Sequence, residues 1–236
     1  MNFLSFAGNL DKIGVLLMGA IFLTQQSSAQ IEFSPATFAD DPRSLQNRLN
    51  FPDLDEDVDV IVRCIAPVTE SGVMRDPVCF NRDESNSTFF RRIIRSSRGS
   101  KLNPAIVNGR SVIINMFQFT VRIQKQGDAE SIVLYPNHLY NTQYYGDDYI
   151  AAQSYGVSTS PSCDSRTDRF GDLNVRIVYT VDANGEVGEE MQAMDNTFAD
   201  CVSAFKASIR AESYIPAHYE GKPVDSVVVQ LFHKRP

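Results

Sequence analysis

The chain has 236 residues, 43% hydrophobic and 22% charged, a composition too apolar for an intrinsically disordered protein. A formal charge of −7 gives no reason to expect nucleic acid or an anionic membrane as partner. The three histidines, His138, His218 and His233, are too dispersed in sequence to suggest a His-rich metal site.

Residues 13–23 form an uninterrupted apolar run just after Lys12. A membrane-spanning helix needs about 20 such residues, so the run fits the core of a secretory signal peptide. Ser27 and Ala29 have the small side chains a signal peptidase requires, and cleavage is expected after Ala29. The alternative is a short uncleaved anchor. Residues 30–48 read as a polar lead-in, followed by an acidic run of Asp53, Asp55, Glu56, Asp57 and Asp59.

A first domain is expected over residues 49–125. Val60, Val62 and Cys64 alternate with Ile61 and Arg63, as in a strand. Glu70, Ser71 and Gly72 signal a turn, and extended chain resumes at residues 73–80. A hairpin folded there sets Cys64 opposite Cys79, where cross-strand geometry permits a disulfide. A helix follows, with Phe89, Phe90, Ile93 and Ile94 as its apolar side, Ser85 or Ser87 as cap and Gly99 as its end. Asn108-Gly109 is a strong tight-turn signal before the strand of residues 111–123.

Residues 126–170 form a connector with a turn at Gln126-Gly127-Asp128 and a strand over residues 132–135. It holds Tyr135, Tyr140, Tyr144, Tyr145, Tyr149 and Tyr155, six of the nine tyrosines. Two readings stand: amphipathic rings that cover a sheet, or a recognition surface. A second domain is expected over residues 171–236. A strand is turned at residues 182–185, and a helix presents Phe198, Cys201, Val202, Phe205 and Ile209 on one face, with Asp195 or Asn196 as cap. Cys163 and Cys201 are left to pair by default; the alternative for all four cysteines is free, buried thiols.

The two domains repeat one another. Residues 103–112 and 215–224 both follow P-A-x-x-x-G-x-x-V, 112 positions apart. The match extends back through both helices and forward into both final strands. The fold class is therefore α+β: two tandem domains, each a small antiparallel sheet in the order strand-strand-helix-strand with a helix packed on one face.

The second copy resembles the C-terminal domain of the TonB family of energy transducers. The residues that carry the likeness are the V-D-A-N-G turn at 181–185, the amphipathic helix, and Y-I-P-A-H-Y-E-G-K-P-V at 214–224 followed by an apolar strand. The first copy looks like a diverged member that keeps L-N-P-A-I-V-N-G at residues 102–109. The resemblance implies a periplasmic domain without catalytic residues or cofactor, which pairs its last strand with an extended segment of an outer-membrane transporter. That edge would be Ser226, Val227, Val228, Val229, Gln230, Leu231 and Phe232, and residues 112–121 in the first copy. The chain departs from a transducer in lacking a full-length apolar anchor and a Pro-rich segment. The expected function is thus non-catalytic binding or assembly at an envelope complex or peptide strand, with no nucleic acid or small-molecule substrate. The alternative is a membrane-anchored transducer driven by a proton channel.

Other motifs carry little. Ser203-Ala204-Phe205-Lys206 fits S-x-x-K, but it sits mid-helix and no K-T-G follows. Asp182-Ala183-Asn184-Gly185 faintly resembles a calcium loop and is better explained as a turn. Arg91, Arg92, Arg95, Arg98 and Lys101 form a basic run, either a solvated helix face or a dock for acidic groups, including the chain's own residues 53–59.

Overall fold

The longest strand pairing is dictated by alternation. In β3 (Val58–Val68), Val60, Val62, Cys64, Ala66 and Val68 are buried on one side. The computed structural model describes residues 31–50, 56–80, 87–156, 173–194 and 199–234. The expected signal peptide and its cleavage point, Asp53, Asp55, Ser85, Cys163, Asp195, Asn196 and Phe198 lie outside the described residues.

Three short elements precede β3: β1 (Phe33–Ser34), β2 (Thr37–Phe38) and α1 (Leu45–Arg48). After it come β4 (Val78–Phe80), α2 (Ser87–Ser97), β5 (Leu102–Asn103), β6 (Ile106–Val107), β7 (Arg110–Ser111) and β8 (Ile114–Gln126). β8 pairs antiparallel with β3 from Val58↔Lys125 to Val68↔Ile114. Its odd-numbered residues Phe117, Phe119, Val121 and Ile123 face the first core, against which Ile93, Phe89 and Phe90 of α2 pack. Gly99 stands two residues beyond α2 at φ +75°, as the sequence suggests, and its N–H bonds the Met74 carbonyl at 2.9 Å.

The Cys64–Cys79 expectation holds. The two residues are register partners in β3 and β4, with Cα atoms 4.0 Å apart and the sulfurs bonded. Cys201 is also disulfide-bonded. The turn between the strands is closed by Thr69, whose carbonyl accepts the Gly72 N–H and whose hydroxyl accepts the Val73 N–H.

The connector supplies β9 (Ala129–Tyr135), α3 (Thr142–Tyr145) and β10 (Gln153–Tyr155). The second half follows with β11 (Leu173–Val181), β12 (Val187–Ala193), α4 (Ala199–Ala211), β13 (Ser213–Ile215), β14 (Ala217–Tyr219), β15 (Lys222–Val224) and β16 (Ser226–Lys234). β11 runs between β12 and β16. α4 buries Cys201, Val202, Phe205 and Ile209 on one face, as its periodicity predicts, and Phe205 stacks on Phe232 at 4.1 Å. S-x-x-K lies within this helix, with Phe205 turned into the core.

The halves repeat strand for strand from β3–β8 to β11–β16. Asn108 and Gly109 have φ of 49° and 73°; Glu220 and Gly221 have 50° and 74°. Both turns need two consecutive positive φ angles, which the sequence signals at Asn-Gly and more weakly at Glu-Gly.

The repeat also begins earlier than the sequence suggests. Ser34 pairs with Ile106, and Thr37 and Phe38 pair with Asn103 and Leu102. In the second half Ile150 bridges His218, and Gln153 and Ser154 pair with Ile215 and Tyr214. Residues 33–38 therefore correspond to residues 149–154, and Ala36 to Ala152, both 0% exposed. The lead-in is not merely polar: Ala36, Leu45 and Leu49 belong to the first core. Gln153 ties the two segments together, its amide oxygen accepting the Ala36 N–H and its amide nitrogen donating to the Ala36 carbonyl, each at 2.9 Å.

Residues Ile31–Pro236 form one compact unit, and strand order β13-β10-β8-β3-β4 carries one sheet from the second half into the first. Among the described residues no helix is long and apolar enough to cross a membrane.

Candidate functional site: the edge of the last strand

The expected edge residues 226–232 lie on β16, which among the described strands pairs with β11 alone, from Leu173↔Lys234 to Val181↔Ser226. Which backbone groups face outward follows from Asn141. Its amide nitrogen donates to the Val227 carbonyl at 2.9 Å, and its amide oxygen accepts the Val227 N–H at 3.3 Å. Both Val227 groups therefore point away from β11. With a period of two, so do those of Val229 and Leu231. The Val229 carbonyl confirms this by accepting Gln118 Nε2 at 3.3 Å. The Val229 N–H and both Leu231 groups face the edge with no partner among the described residues.

The side chains divide by parity. Ser226, Val228 and Gln230 are buried, Val228 within the second core. Gln230 accepts the Tyr179 hydroxyl at 2.8 Å, and that hydroxyl lies 3.0 Å from the one on Tyr214. Burial pushes both tyrosines above their ordinary pKa. Val227, Val229 and Leu231 occupy the opposite face, with Val227 41% exposed. The strand thus combines open backbone groups with an apolar row beside them.

The other edge of this sheet is differently built. β12 exposes Glu189, Glu190 and Gln192, and Arg210 donates to the Glu189 carbonyl at 3.1 Å. Charged side chains and a covered carbonyl discourage strand addition there.

The corresponding edge of the first half, expected at residues 112–121, is not open. β9 pairs with β8 from Thr120↔Tyr135 to Gln126↔Ala129, and β10 takes Ile114 and Met116. The connector turns back at Gly127 and seals the edge. Signals for this hairpin, the turn and the strand of residues 132–135, are present in the sequence; its partner is what the sequence does not state.

The connector also places Asn141. Thr120 Oγ1 donates to the Asn137 carbonyl at 2.7 Å, and Asn137 Nδ2 donates to the Tyr149 carbonyl at 2.6 Å. His138 Nε2 lies 2.7 Å from the Cys64 carbonyl, which can only accept, so this nitrogen carries the proton. Arg63 donates to the His138 carbonyl at 3.1 Å and sits 5.7 Å from the Tyr140 ring centre. Tyr145 stacks on Tyr149 at 5.3 Å and donates to the Asp225 carbonyl at 2.9 Å. Tyr135 and Tyr149 are buried, whereas Tyr140 and Tyr144, on either side of Asn141, are 42% and 76% exposed. The tyrosines thus divide between covering the sheet and standing in solvent near the edge.

Burial pushes the His138 pKa down to about 4, and the nearby Arg63 charge adds to the effect. His218 is lowered in the same direction, also by burial. Above pH about 6.5 the folded and unfolded chains are both neutral at His138. As pH falls from there towards about 4, the unfolded chain takes up a proton that the folded chain refuses, and stability is lost across that window. The expected loss from His138 is up to about 3 kcal/mol. Urea unfolding at steps between pH 7 and 4 should show it, and His138→Gln should flatten the slope. An unchanged slope in that variant would remove His138 as its source.

Among the described residues no group of three or more His, Cys, Asp or Glu side chains could hold a metal ion. Asp182 acts as a turn residue: its Oδ1 accepts the N–H groups of Asn184 and Glu186 at 2.9 and 2.8 Å. No family model and no curated protein matches this chain.

Proposed function

We propose that this protein is a non-catalytic, periplasmic binding or assembly protein whose β16 edge accepts an extended segment of an envelope partner. The observation that carries the reading is the outward Val229 N–H and the two outward Leu231 groups, set beside an apolar row in which Val227 is exposed and Val229 and Leu231 are half-buried. An added strand satisfies such groups with main-chain hydrogen bonds, and the side-chain row supplies selectivity. The sequence resemblance of residues 171–232, and by repetition of 49–123, to TonB C-terminal domains supports the same mode of binding. Disulfide-bonded Cys64, Cys79 and Cys201 suit an oxidising compartment. The partner class is an outer-membrane transporter or a larger membrane complex.

Proline at Leu231 tests the edge directly. The Leu231 N–H takes no part in the β11 ladder, so Leu231→Pro should leave circular dichroism unchanged and stability within about 1 kcal/mol. A photoreactive side chain at Val227 should crosslink to one partner in the native envelope, and one at Glu190 should not. The same partner should no longer co-purify with Leu231→Pro. Full retention of the partner by a folded Leu231→Pro chain would refute edge pairing.

A further inference from the structure

The basic run of α2 is joined in space by a residue that sequence does not connect to it. Arg48, the last residue of α1, reaches the same cleft as Arg91, Arg92 and Arg95. The cleft is about 370 Å³ and is completed by Asn50 and Ser96. Two hydrogen bonds fix its walls: Arg92 donates to the Asn50 carbonyl, and Ser96 Oγ donates to the Arg48 carbonyl, each at 3.2 Å. Both bonds hold α1 against α2, and they leave the guanidinium groups of Arg48, Arg91 and Arg95 unspent.

Among the described residues no carboxylate lines this cleft. The ion pairs among the described residues are Arg43–Asp41, Arg122–Asp59 and Lys125–Glu130, and none involves these four arginines. Two members of the acidic run, Asp57 and Asp59, are engaged elsewhere. Asp59 makes a two-bond pair with Arg122 at 2.9 and 2.7 Å, and Asp57 accepts the Gly127 N–H at 2.8 Å. A chain of net charge −7 thus gathers four like charges from two elements around one concavity. Their mutual repulsion is relieved by an anion, and planar guanidinium forks are suited to tetrahedral oxyanions.

We propose that the cleft between α1 and α2 binds a phosphorylated group carrying two adjacent phosphates. The volume falls in the lower part of the range for small-ligand clefts, about 300–1,000 Å³, and among the described residues no aromatic side chain lines it to stack a base or ring. Four positive charges match a diphosphate better than a single phosphate. The chemistry is the same for a soluble diphosphate and for one carried on a lipid headgroup. This site is independent of the β16 edge.

Titration calorimetry of the full chain with inorganic pyrophosphate tests the proposal. Saturable binding is expected, weakening as salt rises. Arg48→Gln and Arg95→Gln should each weaken it at least tenfold, because neither guanidinium is hydrogen-bonded to another of the described residues. Arg48→Lys should also weaken it, since the fork is lost. Arg110→Gln, on the exposed β7, should leave it unchanged. Circular dichroism should be native for all four. Vesicles of phosphatidylcholine, with and without diacylglycerol pyrophosphate, distinguish the source: Arg48-dependent flotation with the diphosphate lipid points to a headgroup, and pyrophosphate binding without flotation points to a soluble ligand. The proposal is overturned if pyrophosphate does not saturate at millimolar concentration, or if Arg48→Gln and Arg110→Gln behave alike. It is equally overturned if poly-glutamate binds and pyrophosphate does not, which would make the cleft a dock for an acidic protein.

Discussion

Gly185→Ala is expected to cost about 3 kcal/mol or more, and Gly72→Ala a similar amount. At each position two separate penalties add. The backbone sits at φ +84° and +76°, a region that costs an L-residue about 1–2 kcal/mol. A Cβ would also stand 2.3 Å from the Tyr214 carbonyl oxygen, or 2.2 Å from that of Leu102. These are backbone atoms of β13 and β5 and cannot swing aside as a side-chain tip would, so the turn must lift from the strand beneath it. Gly109 and Gly221 separate the two terms. They have φ of 73° and 74° but nothing within 4 Å of a Cβ, so alanine there should cost about 1 kcal/mol. Urea unfolding of the four variants gives the comparison. If Gly185→Ala is no worse than Gly221→Ala, the close approach contributes nothing.

A chain shortened to begin at Asn50 should lose the cooperative fold of its first half. Residues 31–49 place Ala36, Leu45 and Leu49 in the core, and Phe38 packs edge-on to Phe117 at 5.6 Å and to Phe119 at 6.4 Å. Burying Leu45 and Leu49 contributes about 1.5–3 kcal/mol each, and the partly buried Phe33 and Phe38 add to it, a large share of the stability of a typical domain, about 5–15 kcal/mol. β1 and β2 also pair with β6 and β5. Within the full chain, Phe38→Ala should cost about 2–4 kcal/mol. Hydrogen exchange should show the amides of β3 and β8 unprotected in the shortened chain. A shortened chain that keeps their protection would show that the lead-in is dispensable.

What was legible in the sequence is what is long or chemically sharp. The Cys64–Cys79 register follows from a turn signal midway between them, and Asn108-Gly109 names its own turn. The α4 stripe is long enough to show a helical period. By contrast, β1, β2 and β10 have two or three residues each, too few for any period. Their correspondence is hidden further because residues 33–38 and 149–154 share only Ala36 and Ala152, at a spacing different from the rest of the repeat. The candidate edge was partly visible: an apolar last strand at residues 226–232 suggests it. Its clamp was not. Asn141 acts on Val227 across 86 positions, and the nearest clue is a buried polar residue, Gln118, within the apolar β8. The basic cleft was half visible, since the α2 arginines announce themselves and Arg48 does not.

On the proposed reading, the sealing of β8 would set the valency of the molecule. A duplicated unit with two free terminal strands would recruit two segments, or link end to end with its own copies and grow without limit. Here β9 and β10 occupy the first strand's outer side, and Asn141 and Gln118 shorten the second to the stretch around Val229 and Leu231. If β16 is the docking edge, as proposed, one chain is expected to capture one segment, and a complex built on this edge to be one to one.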